Sequence, residues 1–90
     1  MATTKDRDFV RFPEIQWVSV NLLSIREARG LTQQQVSLLS GTSIPYLSAL
    51  ENGRGSPSLE ALSQLAKALD VTVSELVEDP ELRRKRLSGE

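Results

Sequence analysis

The chain contains no cysteine and no histidine. Without cysteine there is neither a disulfide framework nor a thiolate metal site. Without histidine, the usual general base, zinc ligand and pH switch are all missing. Aspartate and glutamate remain, but they stand singly among basic residues, the pattern of solvated surface charge. No glycine-rich phosphate loop is present, since Gly53-Arg54-Gly55 is too short and lies between helices. No cofactor is therefore expected, and catalysis is not. Long apolar runs are also lacking, so no membrane span is expected. The opening residues MATTKDRDF hold early acids and no apolar stretch, unlike a secretory leader. The expectation is a cytoplasmic protein with no membrane partner. A strong excess of either charge is missing too, with 11 Lys and Arg against 12 Asp and Glu. That alone argues mildly against a polyanion as partner.

What the chain does have is unevenly spread. Between Asn21 and Ser58 the charges are Arg26, Arg29 and Arg54 against Glu27 and Glu51. Between Leu59 and Asp79 they are Glu60, Asp70, Glu75, Glu78 and Asp79 against Lys67 alone. The acid gathers where it can face away from a polyanion.

Ninety residues fit one domain with a modest core. The centre reads as helix throughout. Val18, Leu22, Ile25 and Ala28 form one stripe of a first helix that Gly30 can end, starting either at Pro13 or behind Ser19 as cap. Thr32 caps a short second helix, Gln33 to Ser40, stopped by Gly41. Ser43 caps a third, with Pro45 tolerated in its first turn, ending at Asn52-Gly53. Ser58 caps a fourth, with Leu59, Leu62, Leu65, Ala66 and Leu69 facing inward. A fifth begins at Thr72 or Val73, and Pro80 closes the compact part. This gives an all-α, five-helix domain over 18–79, an amino-terminal extension over 1–17 and a basic tail over 80–90. The tail's run Arg83-Arg84-Lys85-Arg86 is read as a solvated end, with an auxiliary phosphate contact as the alternative.

Within this, the second and third helices form a motif. Two helices crossing steeply need a small residue at the contact, a glycine where the chain turns left-handed, and branched apolar anchors. Ser37, Gly41 and the set Val36, Leu47 and Leu50 supply them.

The elements L-x-x-I-R-E-x-R-G-L-T-Q, then G-x-S-x-x-Y-L-S-x-L-E-N-G, then P-S-L-E-x-L-x-x-L-A-K-A-L-x-V run in order from about Val18 to Asp79. In these the chain resembles the phage repressor and Cro-like, or xenobiotic-response-element, family of helix-turn-helix regulators. The resemblance implies a repressor-like fold with the helix-turn-helix at helices 2 and 3, and double-stranded DNA as partner. It implies that Arg26 and Glu51 pair between the first and third helices. Thr32 and Gln33 would sit at the start of the second helix, where Gln33 meets phosphate and braces the third. Ser43 to Asn52 would lie in the major groove. Asn52, Gly53 and Arg54 would meet the DNA backbone through amides and the Arg54 side chain. Each role has a plainer rival: Gln33 as an ordinary first-turn residue, Glu51 as a surface acid, Arg54 as a solvated turn, Tyr46 as mere packing.

Two departures from the family stand out. Ser37 takes the place of a commoner alanine. The outward positions Ile44, Pro45, Tyr46, Ser48 and Ala49 lack the Arg, Asn and Gln that read bases most strongly. Few cations mean few phosphate contacts, so the expected regulator is a homodimer on an inverted repeat. Its interface is expected at Val71, Val73, Leu76 and Val77, or at Phe9-Val10-Arg11-Phe12 with Trp17. A different reading keeps the same DNA domain but makes the chain an antitoxin or adaptor with a protein partner.

Overall fold

A computed structural model describes residues 12–89, and among them every regular element is an α-helix. The first, α1, spans Pro13–Ala28, with proline at its start, where the missing amide hydrogen would have had no partner. Ser19 therefore lies inside the helix and does not cap it. Four short helices follow, each opened by the hydroxyl the sequence offers. Thr32 caps α2, Gln33–Ser40, in a reciprocal box: Gln35 N–H donates to Thr32 Oγ1 at 3.1 Å, and Thr32 N–H donates to Gln35 Oε1 at 2.8 Å. Ser43 caps α3, Ile44–Glu51, and Ser58 caps α4, Leu59–Leu69. Thr72 and Glu75 repeat the box at α5, Val73–Val77.

A sixth helix, α6, Pro80–Ser88, forms where the sequence suggests a solvated basic tail. Asp79 Oδ1 accepts from Glu81 N–H at 2.9 Å, and Pro80 again takes the first position. None of its residues is buried. Ion pairs hold it instead: Arg83 Nη1 meets Glu75 at 3.0 Å, and Arg86 meets both Glu78 oxygens at 2.9 and 2.6 Å.

The core is Val18, Leu22 and Ile25 of α1, Val36 of α2, Leu47 and Leu50 of α3, Leu62, Leu65, Ala66 and Leu69 of α4, and Leu76 of α5. Each such aliphatic side chain contributes roughly 1.5–3 kcal/mol on full burial. Three expected positions differ. Ala28 is exposed, past the end of the buried stripe. Leu59 is 71% exposed, because at 100° per residue it lies well off the centre of the arc holding Leu62, Leu65 and Leu69. Leu76 is fully buried and belongs to the core, which removes it from any subunit surface and leaves Val71, Val73 and Val77 half-buried. Of the other expected interface, Phe9, Val10 and Arg11 lie outside the described residues; Phe12 is exposed and Trp17 half-buried. Among the described residues no helix is long and apolar enough to cross a membrane.

Candidate nucleic-acid interface

The turn between α2 and α3 is closed by Gly41, whose φ of 79° is left-handed and favours glycine. Hydroxyls complete it. Ser37 Oγ donates to the Thr42 carbonyl, Ser40 Oγ and Thr42 Oγ1 share a hydrogen bond at 2.7 Å, and Thr42 N–H donates to Ser40 Oγ at 3.2 Å. Ser37 is thus small enough for the helix crossing and also satisfies a carbonyl that alanine would leave to water.

Behind α3 sits a polar node. Arg26 grips Glu51 with both arms of its guanidinium, Nε to Oε2 at 2.6 Å and Nη2 to Oε1 at 3.0 Å. Its remaining nitrogen, Nη1, donates to the Leu31 carbonyl at 2.8 Å. Gln33 Nε2 adds a third bond to Glu51 Oε1 at 3.0 Å. The side chains are 14% and 5% exposed for Arg26 and Glu51. The hydrogen bond to Glu51 raises the Arg26 pKa above its ordinary value, against partial burial, so the guanidinium stays charged at neutral pH. Ser19 Oγ donates to the Glu51 carbonyl at 2.7 Å. The end of α3 is therefore held by both its backbone and its last side chain.

The other side of α3 faces out. Ser43, Ile44, Pro45, Asn52 and Arg54 are exposed, as is Thr32 at the start of α2. Gln33, Tyr46, Ser48 and Ala49 are half-buried, and Tyr46 packs against the core. The Gln33–Glu51 bond thus sets the start of α2 beside the end of α3, with Arg26 held against the same carboxylate.

Past α3 the chain folds back on the helix. Gly53, with φ of 73°, and Arg54 direct their amide hydrogens to the Leu50 and Ala49 carbonyls at 3.1 and 2.9 Å. Asn52 Nδ2 donates to the Ser48 carbonyl at 2.7 Å. This Schellman closure corrects the expectation of free loop amides, because those hydrogens already serve the helix terminus. The guanidinium of Arg54 remains.

Two residues that sequence reasoning did not assign are structurally prominent. By its sequence Ser19 reads only as a cap, and Asn21 carries no local signal although it lies beside Leu22 in the buried stripe. Their partners lie 32 and more than 50 residues away, beyond any local pattern. The basic run of α6 is largely matched by acid: Arg83 with Glu75, Arg84 with Glu81, Arg86 with Glu78. The Glu75 carboxyl lies below its ordinary pKa through the Thr72 amide and then Arg83, and that of Glu78 through Arg86.

Compared with known proteins, residues 22–76 match the helix-turn-helix family model. The HTH-type transcriptional regulator DdrOP3 of Deinococcus deserti is 40% identical over 68 residues, covering 76% of this chain and 53% of that regulator. This chain thus spans about half the length of that relative. An uncharacterized HTH-type transcriptional regulator, y4dJ of Sinorhizobium fredii, is 47% identical over 60 residues, 67% of this chain and 78% of the other. Among solved structures, the restriction-modification controller protein C.AhdI from Aeromonas hydrophila superposes with a TM-score of 0.68 at 32% identity, over 72% of this chain and 98% of its own. The hypothetical transcription factor NHTF from Neisseria gives 0.72 at 28% identity, over 77% and 79%.

Proposed function

The chain belongs to the helix-turn-helix family of DNA-binding transcriptional regulators, and from that premise we propose that it works in the cytoplasm as a homodimer on an inverted-repeat operator. In this reading α3 is the recognition helix, entering the major groove with Ser43, Ile44, Pro45, Tyr46, Ser48 and Ala49 toward the bases. Thr32, Gln33, Asn52 and the Arg54 side chain meet the backbone. The chain carries out no catalytic step of its own.

One observation carries this reading. The anchors from Arg26, Gln33 and Ser19 all reach α3 at its last residue, Glu51, while its outward positions are exposed at Ile44 and Pro45 and half-buried at Tyr46, Ser48 and Ala49. A helix braced from behind and open in front suits insertion into a groove. Two copies are needed because one domain offers few cations to phosphate. Half-buried Val71, with Val73 and Val77 at the two ends of α5, gives the second copy an apolar surface.

Selection of bound duplexes from a random pool, followed by displacement of one half-site, tests the proposal. Half-sites one helical turn apart should bind cooperatively, and shifting one by about five base pairs should abolish this by placing it on the opposite face. A monomer that binds one half-site as tightly as the full site would overturn the proposal.

A further inference from the structure

Asn21 is 1% exposed in the middle of α1, on the side that carries Val18, Leu22 and Ile25. Its amide nitrogen donates to two carbonyls, Leu76 at 3.0 Å and Glu78 at 2.8 Å. Those carbonyls belong to the end of α5 and to the link into α6. A five-residue helix forms few hydrogen bonds of its own, and its last carbonyls need outside donors. Leucine would fill the same space without the desolvation that an amide must recover. What leucine lacks is direction: two donors fix both the rotation and the axial position of α5 on α1.

The opposite flank of α1 holds α3. Ser19 donates to the Glu51 carbonyl and Arg26 grips its carboxylate. Thus α1 is a bar with α3 clamped on one flank and α5 on the other, and α1 makes its most extensive contacts with these two helices.

We propose that Asn21 is a positioning residue that fixes α5 relative to α3 and so sets the half-site spacing the dimer accepts, leaving the affinity for one half-site untouched. This rests on the dimer reading above, in which α5 faces its counterpart. Recognition helices in successive grooves lie about 34 Å apart, so each is about 17 Å from the dimer axis. A rotation of α5 on α1 by about 5° then moves a recognition helix by about 1.5 Å at that radius, enough to degrade its fit in the groove.

The test uses the full chain with Asn21→Ser and Asn21→Leu. Each is titrated against a single half-site duplex and against a series whose spacing changes one base pair at a time, below the melting temperature found by circular dichroism. Both variants should keep wild-type half-site affinity. Their preference for the best spacing over its neighbours should fall about fivefold, the equivalent of one net hydrogen bond. Ser19→Ala should do the reverse, weakening the half-site and keeping the spacing profile sharp. A wild-type profile in variants that merely melt earlier overturns the assignment. So does failure of both to fold, because Asn21 would then serve folding and not spacing; if only Asn21→Leu fails, Asn21→Ser decides. A wild type that is monomeric or indifferent to spacing refutes the dimer reading itself, and this is seen before any variant is made.

Discussion

Replacing Arg26 by alanine removes more than one charge from the space between α1 and α3. Glu51 loses hydrogen bonds at 2.6 and 3.0 Å, and the Leu31 carbonyl loses one at 2.8 Å. The Glu51 side chain is only 5% exposed, so water replaces these donors poorly. Breaking a buried pair from one side costs about 3–5 kcal/mol. Gln33 Nε2 stays at 3.0 Å from the carboxylate, which puts the expected loss near the lower bound, about 3 kcal/mol. For a domain of this size each kcal/mol lowers the melting temperature by roughly 4–8 °C, so Arg26→Ala should melt about 12–24 °C earlier. Glu51→Ala should cost less, about 2 kcal/mol, since Arg26 keeps the Leu31 carbonyl and turns toward solvent. The double variant Arg26→Met with Glu51→Leu leaves no buried charge and should lose clearly less than the two single losses combined. Urea and thermal unfolding followed at the helical circular-dichroism band measure all three. Single variants that each cost under about 1 kcal/mol, the range of exposed pairs, would refute the reasoning.

Three further outcomes are expected. Replacing operator thymines by uracil should weaken binding about fourfold at each contacted methyl, roughly 0.8 kcal/mol, if Ile44, Pro45, Tyr46 and Ala49 read the groove by apolar contact; unchanged affinity at every thymine would exclude that mode. Arg54→Ala should weaken all duplexes alike and reduce the slope of log K against log salt by about 1.8 for two copies, at about 0.9 per phosphate contact; a loss confined to one base pair would make Arg54 a base reader. On acidification, the cap of α5 and the docking of α6 should loosen first. The folded-state pKa values of Glu75 and Glu78 are lowered, so the stability they contribute is present above the ordinary glutamate pKa of about 4.3 and is lost as pH falls through the lowered values. Each pair contributes at most about 1 kcal/mol, so the urea midpoint should drop modestly below about pH 4. Changing both residues to glutamine should erase that drop.

The caps made most of the fold readable. Thr32, Ser43 and Ser58 each precede an apolar rhythm, and Gly41 and Gly53 stand where the chain turns left-handed. Val36, Leu47 and Leu50 were legible as anchors because apolar spacing on short helices leaves few other arrangements. The start of α1 was not, since Pro13 and Ser19 are both good openings and only the demand of the Glu51 carbonyl for a donor places Ser19 inside. α6 escaped for a different reason. Leu82 and Leu87 share no face, and the helix is held by carboxylates eight residues back, a spacing outside local helical rules. Gln33 was legible as a brace, whereas Asn21 became visible only once α5 lay across it.

If the chain works on an operator as proposed, the matched charges of α6 also bear on where the molecule is when it is away from that site. Affinity for arbitrary duplex comes almost wholly from cations on phosphates. Here Arg83, Arg84 and Arg86 face carboxylates of the same chain, and Arg26 is sealed against Glu51. A chromosome would offer on the order of 10⁶–10⁹ competing sites, and to each of these the paired arginines would add little. The free pool would then follow the total amount of protein more closely, and a small change in synthesis would be felt sooner at the operator. The same weakness would shorten sliding along the duplex, and the search for the operator would rely more on repeated collisions from solution.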